Sequence, residues 1–469
     1  MDTYALDELI YSTMDKMKVP GVGIGLLKGE ERYTNGYGVS NLRHPLPIDS
    51  RTLFQICSIS KTYLGTVSMM LIEDGLLELD APVRQYLPDF RVVDEAASKQ
   101  ATYRMLLQHR AGWYGDWFTH PRRTGTGDDA LTKYVATMVD TPQLTPVGTS
   151  PFSYNNAGFN LAARIIEIVT GKTYEAVVQE RLFDPLGLKH TYFLPADFMT
   201  HRYVTGHFRT QDGVKVAERW GFGRAFNGAG GITSCVEDVL QYARFQLAGG
   251  VTAGGERLIS ESGIRQLHEV EHYQSADYGI GLTFWGQRIG DLWQYGHSCG
   301  GVGQSSLFCF IPALNAAMMI ATNSGQGYPL AQRVRAWVLQ EMWGIEPVSA
   351  ETLSLSEEQQ DEFVGDYAQI NAALRIAKDT EGNLTYSMKS EGTFPDEDAF
   401  SYHLEDWSPP LVMRFIGKDV ALLLPQEEGE EPVPHHGGFD LLFHRAEGGA
   451  IHCLQAGARI FLRQADGDG

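Results

Sequence analysis

The spacing of Ser58 and Lys61 is the first feature of the chain that could support chemistry. A serine and a lysine three residues apart lie on one face of a helix, with Cβ atoms about 5–6 Å apart. An amine held beside a hydroxyl is what a weak alcohol nucleophile requires for activation. The Ser-x-x-Lys tetrad occurs once in the sequence, so it predicts one nucleophile, Ser58.

The residues after Lys61 predict the helix that would hold this pair. Apolar side chains recur every three or four residues, and Asp74-Gly75 closes the run. If Ser58 lies at the start of that helix, free backbone N–H groups and the helix dipole would favour negative charge there. The ordinary alternative makes Ser58 a helix cap and Lys61 a solvated first-turn residue.

A second segment, distant in sequence, carries Tyr154 and Asn156 just before a helix predicted over residues 161–171. A tyrosine whose pKa is lowered by a nearby ammonium can act as a general base. Asn156 can bind a substrate amide or orient Lys61. Taken alone, Tyr154 is more typical of a buried core phenol.

A third segment ends a predicted strand with His297, and Gly300 and Gly301 follow it. A backbone N–H at such a place could complete an oxyanion hole. Taken alone, His297 is more typical of a satisfied surface or core imidazole. Residues 296–300 also match Gly-x-Ser-x-Gly, a motif that must open a helix after a strand. A strand follows here instead, which disfavours Ser298 as the nucleophile.

Several short sequence segments of the chain resemble motifs of one family of enzymes. The chain is similar to the serine hydrolases of the β-lactamase/penicillin-binding-protein superfamily, and specifically to class C β-lactamase-like esterases and D-aminopeptidases. The resemblance covers roughly residues 5–345. It is carried by residues 55–62 (QICSISKT), 106–112 (LLQHRAG), 154–159 (YNNAGF), 185–188 (PLGL), 229–232 (AGGI) and 297–301 (HSCGG).

The resemblance implies a role for each candidate residue. Ser58 would be the acylated nucleophile, Lys61 and Tyr154 would share proton transfer, and Asn156 would line the acyl site.

The third motif of the family is lysine or histidine, any residue, then glycine, and His297 takes its first position. Cys299 stands where the glycine is expected, which leaves open whether the amide of Gly300 or Gly301 is the oxyanion donor. Histidine in place of lysine favours an esterase or peptidase over a β-lactam-binding protein.

The order of elements predicts the fold class. A hairpin, a long helical insertion, further strands and a closing helix over residues 1–345 indicate an α/β (α+β) arrangement. The sheet is expected to be antiparallel and flanked by helices, with a helical subdomain, as in the serine β-lactamases that the chain resembles. Glycines within residues 21–25 do not precede a helix, which argues against a dinucleotide loop. The aromatic residues of a loop at 113–118 suggest an apolar wall near the pocket.

The remaining sequence predicts a separate C-terminal domain. Residues 346–358 are a polar linker, and short alternating strands separated by turns, one of them at 427–431, follow over residues 359–469. This pattern predicts a small all-β barrel, which resembles the lipocalin-like domains appended to some of these enzymes. His435 and His436 are expected in an exposed loop rather than at a metal.

Composition limits the partners. The chain has 469 residues and a formal net charge of −20, which argues against nucleic acid or an anionic membrane. Its five scattered cysteines lack metal-ligand or disulfide spacing, and no cofactor or metal is expected. No leader or apolar span is visible, so the expectation is a cytoplasmic protein with a small-molecule partner. A homo-oligomer is compatible with this composition.

The predicted function is hydrolysis of a small ester or amide through an acyl-Ser58 intermediate. An acyltransferase using the same serine, a β-lactamase or D,D-peptidase, and a non-catalytic ligand-binding relative are the alternatives. The presence of Ser58, Lys61 and Tyr154 together favours a catalytic function, because a protein that only binds a ligand does not need all three.

Overall fold

The computed structural model describes residues 3–117, 124–149, 151–210, 212–275, 277–346, 351–390, 406–423 and 441–465. Four sequence-based expectations lie wholly or partly outside these residues. They concern Phe118 of the aromatic loop, part of the linker 346–358, a turn at 427–431, and the pair His435 and His436.

Most of the described helices lie in the first two-thirds of the chain. Two of them run on into single π-helical turns, at Gln179–Phe183 and at Val338–Met342. The α-helices are α1 Tyr4–Met17, α2 Ser60–Glu73, α3 Val83–Tyr86, α4 Glu95–Gln100, α5 Tyr103–Leu107, α6 Ala130–Thr137, α7 Asn156–Thr170, α8 Tyr174–Val178, α9 Asp184–Leu186, α10 Pro195–Phe198, α11 Asn227–Gly230, α12 Val236–Leu247, α13 Glu261–His268, α14 Tyr328–Trp337 and α15 Glu357–Asp361.

Strands form one large sheet, two small sheets and a barrel. They are β1 Gly21–Lys28, β2 Glu31–Gly38, β3 Phe54–Gln55, β4 Thr191–Tyr192, β5 His207–Thr210, β6 Gly213–Val216, β7 Thr233–Ser234, β8 His272–Ser275, β9 Tyr278–Ile280, β10 Trp285–Ile289, β11 Leu292–Gly301, β12 Gln304–Ile311, β13 Ala316–Thr322, β14 Gly365–Gln369, β15 Ala372–Lys378, β16 Leu384–Ser390, β17 Leu411–Gly417, β18 Val420–Leu423, β19 Leu441–Arg445, β20 Ile451–Ala456 and β21 Arg459–Arg463.

The large sheet has the strand order β2-β1-β13-β12-β11-β10-β9-β8 with antiparallel neighbours throughout. The predicted antiparallel sheet is therefore confirmed. Apolar side chains of α1 and α14 cover one face, and those of α2 and α12 cover the other. Every residue of β12 and β13 is buried, because these central strands have a helical layer on both sides.

Two glycines of β1 set the distance between the sheet and α12. A Cβ built on Gly25 would lie 2.9 Å from Leu240 Cδ1, and one built on Gly23 would lie 3.3 Å from Val236 Cγ1. Val22, Ile24 and Leu26, which alternate with these glycines, point to the opposite face and pack under α1. The glycines that superficially suggested a dinucleotide loop therefore allow close packing of a helix on a strand.

The C-terminal barrel is closed within the described residues and runs in sequence order from β14 to β21. The predicted all-β barrel is confirmed, although the strands Gly365–Gln369 and Ile451–Ala456 were not foreseen. Its interior packs Phe363, Tyr367 and Phe443 with other apolar side chains. Leu353, in the predicted linker, donates its backbone N–H to the Phe415 carbonyl at 2.7 Å. The domain boundaries themselves stay a prediction.

One turn of the barrel contacts the segment that precedes α7. The β20–β21 turn consists of Gly457 and Ala458, with φ of 54° and 64°. Positive φ at both positions is the geometry of a two-residue type I′ hairpin. The Ala458 carbonyl accepts the N–H of Tyr154 at 2.8 Å. Gln455 Nε2 donates to the Phe152 carbonyl, also at 2.8 Å. The barrel is thus attached to the very segment that carries a predicted site residue.

Across the described ranges, none of the helices has both the length and the apolar character needed to cross a membrane.

Candidate active site

Ser58 lies in a single 3-10 turn, Cys57–Ile59, between β3 and α2. Cys57 has φ of 40°, a left-handed conformation that a non-glycine residue rarely adopts. Ile56, just before this turn, donates its N–H to the Ile232 carbonyl at 3.0 Å. The turn therefore holds the Ser58 hydroxyl at the rim of the core, where the residue is partly exposed.

Lys61 is completely buried, so the alternative of a solvated first-turn lysine is wrong. Its Nζ lies 3.1 Å from Ser58 Oγ and donates to the Ala229 carbonyl at 2.6 Å. Burial lowers the pKa of the Lys61 amine well below its ordinary value. A desolvated amine gives up its proton readily, which fits it to accept one from a hydroxyl.

The glycine-rich segment at residues 229–232, one of those that carry the family resemblance, supplies the Ala229 carbonyl. Its first residues belong to the one-turn helix α11, and Ala229 N in turn donates to Asn160 Oδ1 at 3.1 Å. A little further on, Ile232 N donates to Ser60 Oγ at 3.0 Å. These bonds tie α11 to both α2 and α7, so the amine of Lys61 is anchored from two sides.

Tyr154 meets the Ser-Lys pair. Its phenol is hydrogen-bonded to Ser58, and Lys61 Nζ lies 4.9 Å from the centre of its ring. Burial raises the pKa of the Tyr154 phenol above its ordinary value, and the bond to Ser58 opposes that rise. The expectation of a lowered phenol pKa is therefore wrong, because burial of the phenol outweighs the influences that would lower its pKa. At neutral pH Tyr154 is a phenol that can donate a proton.

An aromatic cluster fixes the Tyr154 ring. The ring lies 4.4 Å from His109 and 6.5 Å from Trp285, measured between centroids. His109 Nδ1 accepts the N–H of Asn155 at 2.9 Å, so the proton of this imidazole resides on Nε2. Trp113, expected at a pocket wall, instead packs in the core beside Phe90.

Asn156 is the first residue of α7. The helix starts here rather than at the predicted residue 161, because Asn155 caps it by accepting the Gly158 N–H at 2.8 Å. Asn156 Nδ2 donates to Asp116 Oδ1 at 2.8 Å. Its carbonyl oxygen Oδ1 is buried and has no hydrogen-bond partner among the described residues.

His297 lies on β11, with its ring 6.1 Å from that of Tyr154. Its Nδ1 is 2.6 Å from the Ser298 carbonyl, which can only accept, so Nδ1 carries the proton. Burial and the neighbouring Lys61 lower the pKa of His297 to about 3, so the imidazole is neutral. Its Nε2 is a buried acceptor with no partner in the described part of the chain.

Strand β11 runs on past its neighbour. β10 ends opposite Gly296, so the β11 edge that faces away from β12 has no strand partner from His297 to Gly301 in the described chain. Gly301 packs on the turn that carries Ser58, because a Cβ there would lie 2.3 Å from Cys57 Sγ. A Cβ built on Gly300, by contrast, would have no atom within 4 Å. Ser298 lies within this strand, and no helix follows it, as the sequence indicated.

Two charged residues near the site were not among the predicted ones. Asp116 is buried, and its Oδ1 accepts from Arg459 Nη2 at 3.1 Å in addition to Asn156. The Arg459 guanidinium lies 5.1 Å from the centre of the Tyr154 ring. The sequence placed Asp116 in a predicted loop and Arg459 in a predicted barrel strand, and it gave no indication that the two residues meet.

Across the described residues, no group of three or more histidine, cysteine, aspartate or glutamate side chains could hold a metal ion.

Comparison with known proteins places this geometry in context. A family model described as beta-lactamase matches residues 6–341. Penicillin-binding protein 4 of Amycolatopsis lactamdurans is 28% identical over 315 residues, which are 66% of this chain and 81% of that protein. The crystal structure of SurE aligns with a TM-score of 0.71 at 22% identity, covering 98% of each chain. A D-amino acid amidase from Ochrobactrum anthropi SV3 aligns with a TM-score of 0.60 at 22% identity, covering 72% of this chain and 99% of the amidase.

Proposed function

The chain belongs to the beta-lactamase family of serine hydrolases, and on that premise we propose that it cleaves a small ester or amide through an acyl intermediate on Ser58. One observation carries the proposal. The buried Lys61 amine lies 3.1 Å from Ser58 Oγ, and the Tyr154 phenol is hydrogen-bonded to the same serine. A non-catalytic ligand-binding protein has no use for a desolvated amine beside a hydroxyl.

Acylation follows from these protonation states. Lys61 Nζ takes the Ser58 hydroxyl proton as Oγ attacks the substrate carbonyl carbon and forms the C–O bond. The Tyr154 phenol donates its proton to the leaving oxygen or nitrogen as that bond breaks, and it recovers a proton from Lys61. Water then attacks the acyl-enzyme by the reverse route and releases the acid. Ser58, Lys61 and Tyr154 all return to their starting protonation states.

The tetrahedral intermediate needs two N–H donors for its oxygen. The Ser58 amide is one, since it lies in the first turn before α2, where N–H groups have no partner within the helix. For the other we propose the Gly300 amide. The Ser298 carbonyl bonds His297 Nδ1 and so faces the unpaired edge of β11. Backbone groups two residues apart face the same edge, which favours Gly300 over Gly301.

The charges of the site favour a neutral substrate. His297 is uncharged at neutral pH, so it offers no cation to a β-lactam carboxylate. The Arg459 guanidinium is already occupied by Asp116. Small uncharged esters fit this site best, and the D-amino acid amidase that shares the fold makes small amides the second class to test.

A fluorophosphonate probe tests the nucleophile directly. The wild-type protein is expected to form one adduct, located on Ser58 by peptide mass spectrometry, and to hydrolyse a p-nitrophenyl ester. Ser58→Ala should abolish both signals, whereas Ser298→Ala should retain the adduct and most of the hydrolysis. An adduct on Ser298, or the absence of any adduct on the folded protein, would overturn the proposal. Benzylpenicillin should compete poorly with the probe, and tight competition would instead indicate a β-lactam-binding enzyme.

A further inference from the structure

Asp116 and Arg459 form a partly buried ion pair that joins the barrel to the candidate active site. The Asp116 side chain is 5% exposed and that of Arg459 is 32% exposed. A carboxylate this far from water stays ionised only with a charged partner and further hydrogen bonds. Arg459 supplies two donors, Nε and Nη2, and Asn156 supplies a third.

The pair also fixes the orientation of the Asn156 side chain. An ionised carboxylate can only accept hydrogen bonds, so the amide must present Nδ2 to Asp116. The Asn156 carbonyl oxygen is consequently turned away from Asp116, and it is the atom that remains buried without a partner. A buried acceptor of this kind is costly unless something later satisfies it.

Both members of the pair lie close enough to act on the proton-transferring groups. The Arg459 guanidinium packs on the Tyr154 ring, and Ala458, the residue before it, bonds the Tyr154 N–H. The Asp116 carboxylate raises the pKa of Lys61, and Arg459 lowers it. The other titratable groups that face Lys61 or Tyr154 are His109, His297, Cys57 and Cys299.

We propose that Asp116 and Arg459 are positioning residues of this site, which orient the Asn156 amide and balance each other's charge beside Lys61 and Tyr154. The inference rests on the proposed function, since it assigns no chemistry of its own to either residue. This role makes the barrel part of the active site, because Arg459 is the first residue of the barrel strand β21.

The test is the pH dependence of fluorophosphonate labelling in the full-length protein. The labelling rate of wild type should rise with pH as Lys61 loses its proton. Asp116→Asn leaves Arg459 unbalanced, so the apparent pKa of this rise should fall by about one pH unit. Arg459→Gln leaves Asp116 unbalanced, so the apparent pKa should rise by about the same amount. In the double variant, in which neither charge remains, the apparent pKa should be close to that of wild type.

Two control variants separate this effect from a loss of stability. Gln455→Leu also removes a hydrogen bond between the barrel and the segment before α7, but it changes no charge. It should lower the melting temperature without moving the pH profile. Arg459→Lys keeps the charge and should keep the apparent pKa, which preserves the test if Asp116→Asn does not fold.

The outcomes distinguish the two proposals. If wild type is not labelled at any pH, the proposed nucleophile is wrong. If wild type is labelled but the two single variants shift in the same direction, or neither shifts, the role assigned to Asp116 and Arg459 is wrong. A shift in Arg459→Lys as large as that in Arg459→Gln would likewise contradict it.

Discussion

The chemistry of single residues in this protein depends mainly on burial. Lys61 is a lysine without water around it, and desolvation, more than the nearby positive charge of Arg459, lowers its pKa. The same cause acts in the opposite direction on Tyr154, because there the charged form is the deprotonated one. One environment thus produces an amine able to accept a proton beside a phenol able to give one.

Replacing the amine should remove the base. We expect Lys61→Met to slow fluorophosphonate labelling of Ser58 by about 10²–10⁴-fold, the usual contribution of a positioned general base. In wild type, the labelling rate should increase as pH rises through the lowered Lys61 pKa, because only the neutral amine accepts the serine proton. Lys172→Met alters an exposed lysine and is the matched control. An unchanged rate in Lys61→Met would show that another group deprotonates Ser58.

Burial of a histidine that is not part of the candidate site predicts acid sensitivity. Burial lowers the pKa of His268 to about 3 from an ordinary 6.5, while its Nε2 stays 2.9 Å from Gln246 Oε1. Below pH 6.5 the His268 imidazole binds a proton in the unfolded state but not in the native state. Stability is therefore lost as pH falls from about 6.5 toward 3, by about 1.4 kcal/mol per pH unit for one such group.

The variant His268→Phe should flatten this part of the stability curve. Its free energy of unfolding, measured with urea at several pH values, should fall less steeply between pH 6.5 and 4 than that of wild type. The slope is the readout, since loss of the bond to Gln246 lowers stability at every pH. Parallel curves would mean that His268 is not responsible for the acid loss.

At the scale of elements, the site depends on the contact between β11 and the turn before α2. β11 extends beyond β10 and lays Gly301 against Cys57, whose left-handed backbone turns the chain into Ser58. Neither element defines the site alone, because the strand supplies backbone groups and the turn supplies the nucleophile. The spacing between them is set by the absence of a side chain at Gly301.

A methyl group at that contact should displace the nucleophile. In Gly301→Ala the new Cβ would lie 2.3 Å from Cys57 Sγ, closer than atoms can approach, so the Ser58 turn must move. We expect a loss of p-nitrophenyl ester hydrolysis of about 10²-fold, as for other small misplacements of catalytic groups. Cys57→Gly should restore much of the activity in the double variant, since it removes the sulfur and suits the positive φ.

A glycine in open space provides the comparison. Gly254→Ala would meet only Thr252 Oγ1 at 3.7 Å, an ordinary contact, and its activity should match wild type. A double variant as inactive as Gly301→Ala would show that the clash with Cys57 is not the cause of the loss.

At the scale of the whole molecule, the barrel is placed so that one end faces the site. In an up-and-down barrel, alternate turns lie at opposite ends. The β20–β21 turn contacts Tyr154, and Asn371, in the β14–β15 turn, contacts the Tyr114 hydroxyl at 3.4 Å. The β15–β16 turn, which contains Gly382, is therefore at the far end. Barrel turns can accordingly be compared as near and far from the chemistry.

A β-branched residue in each of these turns should separate their roles. Ala458 and Gly382 both have positive φ, so Ala458→Val and Gly382→Val should each strain the turn and lower the melting temperature. Only Ala458→Val should also slow fluorophosphonate labelling, because it moves the carbonyl that binds Tyr154. Equal labelling by both variants would show that the barrel does not support the site.

Much of the architecture was readable from local pattern. The helix Ser60–Glu73 was predicted nearly to its end, and the N-terminal hairpin was predicted as well, because amphipathic period and turn residues act over short distances. The strands His272–Ser275 and Trp285–Ile289 were missed, since their polar and glycine content weakens the alternation of a strand. The residue types at 58, 61, 154 and 297 indicated a nucleophile and the groups that transfer its proton. The short sequence segments around these residues indicated the family of the chain.

Tertiary structure decided what these residues can do. Desolvation of Lys61, the raised pKa of Tyr154 and the neutral state of His297 each arise from atoms brought in from distant parts of the chain. The pairing of Asp116 with Arg459 joins residues more than three hundred positions apart, and no local pattern encodes that meeting. Sequence by itself determined which side chains and elements exist, because those depend on neighbours along the chain. Burial and charge balance depend on neighbours in space, and only the folded molecule supplies them.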